Sequence, residues 1–281
     1  MKLVRFQVGS GTHAGIVVQD GVIDVAARAS RFEGLASLLS AGARAEAAAL
    51  IRGAAADYPL DEVKLLAPFE GNARVFCIGV NYRSHAAETG RDLPPRPSSF
   101  IRTHESIVAP GTPIVRPAVS THFDYEGELA AVIGTRAHRV SEQDALAYVA
   151  GYTCFNDGSV RDYQKFSVTS GKNFDRSGSC GPWIVTADEI PDPTALTLVT
   201  RLNGVEVQRS GTDMLIYSIP LIVSFLSEIT VLMPGDVIAT GTPAGVGSRR
   251  VPPLWMKAGD RIEVEISGIG VLANTVKDEE N

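Results

Sequence analysis

The chain has 281 residues, of which 44% are hydrophobic, and a formal net charge of −6. With a pI near 5.4 and a mean hydropathy of +0.07, this is the composition of a globular protein with ample material for a core. No Lys/Arg cluster offsets the excess acid, which excludes a nucleic acid or an anionic membrane as the expected partner, so any anion site must be built locally.

Met1-Lys-Leu-Val-Arg-Phe-Gln-Val reads directly into a strand, without the apolar region of a signal peptide, and no apolar run approaches membrane-spanning length. Cys77, Cys154 and Cys180 are odd in number and widely spaced, which fits a reducing compartment rather than a disulfide framework. A cytoplasmic protein is expected. Leu3 to Val8 and Gly15 to Val25 read as strands, with Asp20-Gly21 as the hairpin signal. Phe32 to Leu39 and Ala43 to Arg52 have helical composition, broken at Gly42, and would cover that small sheet. Pro68-Phe-Glu-Gly-Asn72 is turn-rich, and a domain boundary is placed there, dividing the chain into 1–70 and 71–281.

Arg74 to Val80 reads as a buried strand. In the segment after it, His85 and Glu88 stand three apart, so one helical turn would set the carboxylate beside the imidazole, a pairing that suits a general base but is far more often a surface contact. Leu93 to Pro97 reads as a loop or mobile flap. His122-Phe-Asp124-Tyr-Glu126-Gly-Glu128 then runs into the apolar Leu129 to Ile133. As one strand, its period of two puts Asp124, Glu126 and Glu128 on one face. Neighbouring carboxylates raise each other's pKa unless a cation sits among them, so a divalent metal with oxygen ligands is the simplest solution. A solvated strand face is the alternative, which the apolar continuation disfavours.

Ser141-Glu-Gln-Asp144 resembles a capping box opening a short helix, and Gly151 to Phe155 returns as a strand that delivers Asp157. That carboxylate could join Glu126 and Glu128, or simply belong to a good Asn-Asp-Gly turn. Lys172 follows between turn-prone residues, ahead of a tight stretch from Ser177 to Pro182. Leu196 to Leu202 and Val205 to Gln208 form a hairpin through Asn203-Gly204, and Ser218 to Ile229 reads as a buried helix with Pro220 in its first turn. Val237 to Thr240 feeds Gly241-Thr-Pro-Ala-Gly-Val-Gly247. This loop lacks the lysine of a P-loop and the spacing of a dinucleotide turn; it suits a substrate carboxylate or oxyanion, or is a plain turn. Glu263 and Glu265, in the alternating strands that close the chain, are expected to face solvent.

Together these pieces resemble the fumarylacetoacetate hydrolase family, in its branch of acylpyruvate hydrolases, oxaloacetate decarboxylases and hydroxymuconate-type isomerases. The resemblance spans roughly residues 70 to 281 and rests on Gly79-Val-Asn-Tyr82 with His85 and Glu88, Asp124-Tyr-Glu126-Gly-Glu128, Asn156-Asp157 with Arg161-Asp162-Tyr-Gln164, Gly171-Lys172-Asn-Phe174-Asp175, Asn203-Gly204, and Pro234-Gly-Asp236 with Thr240 to Gly247. It implies an α+β, β-rich fold, with a mixed β-roll catalytic domain after a small N-terminal α/β domain, and a homodimer. It further implies Mg²⁺ or Mn²⁺ on Glu126, Glu128 and Asp157, a lid dyad of His85 as general base and Glu88 as its orienter, Lys172 stabilising negative charge, and substrate contacts from Arg161, Gln164, Thr240, Gly241 and Thr242. The implied activity is metal-dependent cleavage of a C–C bond in a 2,4-dioxo acid such as fumarylpyruvate or acetylpyruvate. Oxaloacetate decarboxylation, isomerisation of an unsaturated oxo-diacid, and non-catalytic dicarboxylate binding are the alternatives. Where the family often has Phe-x-Lys this chain has Phe100-Ile-Arg102, and the Ser177 to Pro182 stretch also departs from the commoner version.

Overall fold

The computed structural model describes every residue except Asp20, Arg91, Pro94 and Asn281. Among the described residues the strands form mixed sheets of twelve and five strands and an antiparallel sheet of two. At the centre of the largest, Gly127–Ile133, Val149–Asn156 and Gly178–Thr186 pair antiparallel. On one side Val237–Ala239 pairs antiparallel with Gly127–Ile133 and parallel with Val75–Gly79, and Ser98–Arg102 closes the edge. On the other side Lys2–Val8 joins through Leu3 opposite Ile184, followed by Gly11–Val18 and Gly21–Asp24.

Gly127–Ile133 is buried at every position, and the strand's period of two divides its side chains between two cores. Leu129, Ala131 and Ile133 pack with Leu198, Val264 and Leu272 of the five-stranded sheet and with Ile222, Val223 and Leu226 of helix Ile219–Ile229. Ala130 and Val132 pack instead with Leu3, Ile16, Phe32 and Leu35. Residues 1–70 thus cover one face of the central sheet, rather than folding only over their own strands.

Several local expectations change in detail. The Asp20-Gly21 signal falls partly on Asp20, outside the described residues; Gly21 itself is a strand residue paired with Val18, and Gln19 has φ of 47°. Gly42 does not break a helix: Ala41–Leu50 is continuous through it, because the Ser40 hydroxyl caps the start by accepting from Ala43 N–H. The Ser177 to Pro182 stretch is not a tight turn, since the strand begins at Gly178 and pairs with both Val149–Asn156 and Ile107–Val108. The Asn203-Gly204 hairpin forms as expected, with φ of 53° and 78° at the two turn residues and Leu202 paired with Val205. Glu263 and Glu265 lie off the core, paired with Arg261 and Arg201.

Candidate active site

The acidic stretch is not one strand. Phe123–Asp124 pairs with Ser159–Val160 in the small sheet, and the chain enters the large sheet only at Gly127. The break matters for the carboxylates. Gly127 lies opposite Asn156, and the Asp157 amide donates to the Glu126 carbonyl at 2.8 Å. These backbone pairings bring Glu126, Glu128 and Asp157 together, with one oxygen of each within 4.8 Å of the others and all three residues buried. Asp124, which strict alternation places on the same face, stands apart from them. Its carboxylate accepts from the Gly247 amide at 2.7 Å and the Ser248 amide at 3.0 Å, and from Arg161 Nε at 2.8 Å.

Three cations answer the acids. Lys172, at the end of helix Val168–Lys172, places Nζ 2.6 Å from both Glu126 Oε2 and Asp157 Oδ2. Arg161 reaches Glu126 Oε1 at 2.6 Å and donates to Gln164 Oε1 at 3.0 Å. Arg102 is 1% exposed; it donates to Asp157 Oδ1 at 2.7 Å and to the Ser177 hydroxyl and Gly158 carbonyl. Burial alone would raise Glu126, but Lys172 and Arg161 hold its carboxyl well below the usual range. Lys172 stays cationic because Asp157 and Glu126 outweigh its burial.

Glu128 is the exception. It accepts one hydrogen bond, from the Gly241 amide at 2.8 Å, and burial together with Asp157 and Glu126 pushes its carboxyl well above the usual range. Among the described residues the permanent cations in contact with Asp124, Glu126 and Asp157 are Arg102, Arg161 and Lys172, so an ionised Glu128 would carry a negative charge that none of them pairs. Three hard oxygen donors around such a surplus fit a divalent cation of the Mg²⁺ or Mn²⁺ type.

A cavity of about 370 Å³ opens over this group, lined among others by His85, Glu126, Arg161, Gln164, Lys172 and Thr242. His85 lies on helix Arg83–Thr89, with Nδ1 3.3 Å from Glu88 Oε2; the other Glu88 oxygen accepts from the Gly245 amide at 2.8 Å. The helix is therefore docked onto the glycine-rich loop. Leu93 to Pro97, read as a flap, includes Pro94 outside the described residues.

The glycine-rich loop contributes unequally. Thr242 lines the cavity, while Gly241 acts through its amide on Glu128. Thr240 is turned away, its hydroxyl donating to the Leu129 carbonyl at 2.8 Å, so the structure places it behind the site. Sequence reasoning missed Gln208, whose amide bridges the Gly127 N–H and the Thr242 hydroxyl from a neighbouring hairpin. It noticed Arg102 only as a departure from a motif, and it missed Arg249, which also lines the cavity.

A mixed β-roll with buried carboxylates and a lysine at the floor of a cavity presents an acid-rich site whose donor set fits a cation. The model for the fumarylacetoacetate (FAA) hydrolase C-terminal family matches residues 74–277, and the chain belongs to that family. A Bos taurus protein named as a mitochondrial oxaloacetate tautomerase is 36% identical over 288 residues, covering 98% of this chain and 91% of that protein. The maleylpyruvate hydrolase from Sphingobium sp. SYK-6, solved with manganese(II) and pyruvate, superposes with a TM-score of 0.85 at 30% identity over the whole of both chains. The 5-carboxymethyl-2-hydroxymuconate delta-isomerase from Mycobacterium smegmatis superposes at 0.79, with 32% identity over 99% of this chain and 100% of that one.

Proposed function

We propose that this chain is a divalent-metal-dependent hydrolase that cleaves the C–C bond of an acylpyruvate-type 2,4-dioxo acid. The observation that carries the reading is His85, which lines the same cavity as the carboxylate triad and has Glu88 at its Nδ1. Hydrolysis needs an activated water, and a buried imidazole oriented by a carboxylate supplies the base. Glu126, Glu128 and Asp157 would hold Mg²⁺ or Mn²⁺, which when bound supplies Lewis-acid charge to the 2-oxo acid head group. His85 takes the proton of a water whose oxygen attacks the acyl carbonyl. The bond to the neighbouring carbon breaks, and that carbon leaves as pyruvate enolate and takes up a proton. Arg161 and Gln164 orient the substrate, and Lys172 adds positive charge beside the reacting oxygens.

The test is a proton NMR time course of chelator-stripped protein with acetylpyruvate or fumarylpyruvate, before and after Mg²⁺ is added. Pyruvate and the free acid should accumulate only with the ion; intact substrate in its presence would sink the hydrolase reading.

Tautomerisation or decarboxylation of oxaloacetate is the second reading, favoured by the bovine relative's name and near-complete coverage. It needs no nucleophilic water, so His85→Ala separates the two, abolishing hydrolysis while decarboxylation persists.

Three broader proposals accompany this reading. A homodimer is supported by the exposed Ile101 and Ile229, which flank one apolar cleft beside the edge strand, and light scattering tests it. A cytoplasmic location is supported by three buried free thiols, and cell fractionation tests it. A division into residues 1–70 and 71–281 is supported by the turn-rich Pro68 to Asn72 and by the family match beginning at residue 74.

A further inference from the structure

Gln208 is 2% exposed, on the strand Val205–Gly211, and its side chain reaches the residue that lies between Glu126 and Glu128. Its Oε1 accepts from the Gly127 amide at 2.9 Å, and its Nε2 donates to the Thr242 hydroxyl at 2.8 Å and the Pro243 carbonyl at 3.0 Å. The approach is close. A Cβ on Gly127 would stand 2.0 Å from Thr200 Oγ1 on the other strand of that hairpin, and one on Gly245 would stand 2.2 Å from the Val207 carbonyl oxygen. The hairpin is therefore packed against both the acidic strand and the glycine-rich loop.

These partners leave the Gln208 amide one orientation. A backbone N–H can only donate and a carbonyl can only accept, so Gly127 requires Oε1 on its side and Pro243 requires Nε2 on the other. The Thr242 hydroxyl must then accept from Gln208, and its own proton goes to the Gly127 carbonyl at 3.0 Å. With its proton and one lone pair committed, the hydroxyl keeps a single lone pair. Thr242 lines the cavity, so it meets the cavity as a hydrogen-bond acceptor, suited to an O–H and not to the anionic oxygens of a substrate. A water molecule has two protons to place, and His85 takes one. The helix carrying His85 is docked on the loop carrying Thr242, through the Gly245 amide to Glu88 at 2.8 Å and the Ala244 amide to the Ser84 hydroxyl at 3.4 Å. Two acceptors thus border one cavity from elements in contact.

We propose that Gln208 is a positioning residue that fixes the Thr242 hydroxyl as the second acceptor for the nucleophilic water. His85 removes one proton of that water, and the other stays on the oxygen, held by Thr242, as the oxygen bonds to the acyl carbon. This rests on the hydrolase reading above and adds how the water is aimed.

The experiment uses Mg²⁺-loaded protein, with acetylpyruvate or fumarylpyruvate for turnover and oxalate for calorimetric binding. Thr242→Val removes the hydroxyl at nearly constant shape, Thr242→Ser keeps it, and Gln208→Met removes the amide that fixes it. Thr242→Val and Gln208→Met should lower kcat about ten- to hundredfold at nearly constant KM, as expected for a misaligned nucleophile, while Thr242→Ser keeps most of kcat. Oxalate, which offers Thr242 no proton, should bind every variant within about threefold of the unsubstituted protein. A raised KM at constant kcat would assign Thr242 to the substrate, and oxalate affinity falling in step with kcat would assign Gln208 to the carboxylates; either overturns the proposal, as does an unchanged kcat. If Gln208→Met does not fold, the two Thr242 variants decide. An unsubstituted protein that leaves both compounds intact would overturn the hydrolase reading and this assignment with it, whereas variants that match an active parent overturn the assignment alone.

Discussion

Glu128 and Arg102 show how single side chains set the state of the site. The Glu128 carboxyl, raised by burial and by Asp157 and Glu126, holds a proton through a range in which an ordinary glutamate is ionised. A cation binding there must displace that proton. Mg²⁺ affinity should therefore rise with pH, by up to about tenfold per pH unit, until the carboxyl ionises unaided. Calorimetry in two buffers of different ionisation enthalpy should detect a released proton, and a pH-independent affinity would contradict this. Arg102 makes the opposite point, because its fork satisfies Asp157, Ser106 and Ser177 in a place closed to water. Arg102→Met would remove one of the two cations that answer Asp157, leaving Oδ1 without its charged donor while Lys172 keeps Oδ2, at a cost of about 3 kcal/mol. Urea unfolding should show that loss, with part of it recovered in Mg²⁺ because Asp157 regains a cation.

At the scale of elements, the site is assembled by a strand start, a strand end and a glycine-rich loop, and these were unequally legible. Glu126, Glu128 and Asp157 could be found because two residues of spacing and one strand end are local patterns, and the apolar run after them signalled burial. Asp124 was grouped with them wrongly, since alternation assumes an unbroken strand and nothing local shows that the Gly247 and Ser248 amides capture it. Gln208 was invisible for the same reason: its partners lie 81 and 34 residues away. The loop itself reads as an anion cradle or a plain turn, and its Gly241 amide serves Glu128. Gly241 has φ of +105°, and a Cβ there would sit 2.7 Å from the Asn81 Cβ. Gly241→Ala should cost about 1–3 kcal/mol in strain and weaken Mg²⁺ binding by moving the amide that orients Glu128. Calorimetric titration would check the second effect; unchanged affinity would mean that Glu128 is oriented without the loop.

Across the whole molecule, the N-terminal segment and the catalytic sheet share one apolar cluster, in which Leu3, Ile16 and Phe32 meet Ala130, Val132 and Phe155. The turn-rich link at Pro68 to Asn72 was readable, but the shared core was not, because sheet pairing between Leu3 and Ile184 spans most of the chain. The same connectedness makes the metal site a lever on global stability. Glu128 lies in, and Glu126 directly before, the strand that divides the two main cores, so a cation bound to them favours the folded state of both. At a Mg²⁺ concentration one hundred times its Kd, linkage stabilises the native form by about 2.7 kcal/mol. For a chain of this size that is roughly a 5–10 °C rise in Tm. Thermal unfolding followed by circular dichroism should show one cooperative transition, lower in chelator than in Mg²⁺, with the shift abolished in the triple variant Glu126→Gln, Glu128→Gln, Asp157→Asn. Equal melting temperatures with and without the ion would remove the three carboxylates as its binding site, whatever activity the protein retained.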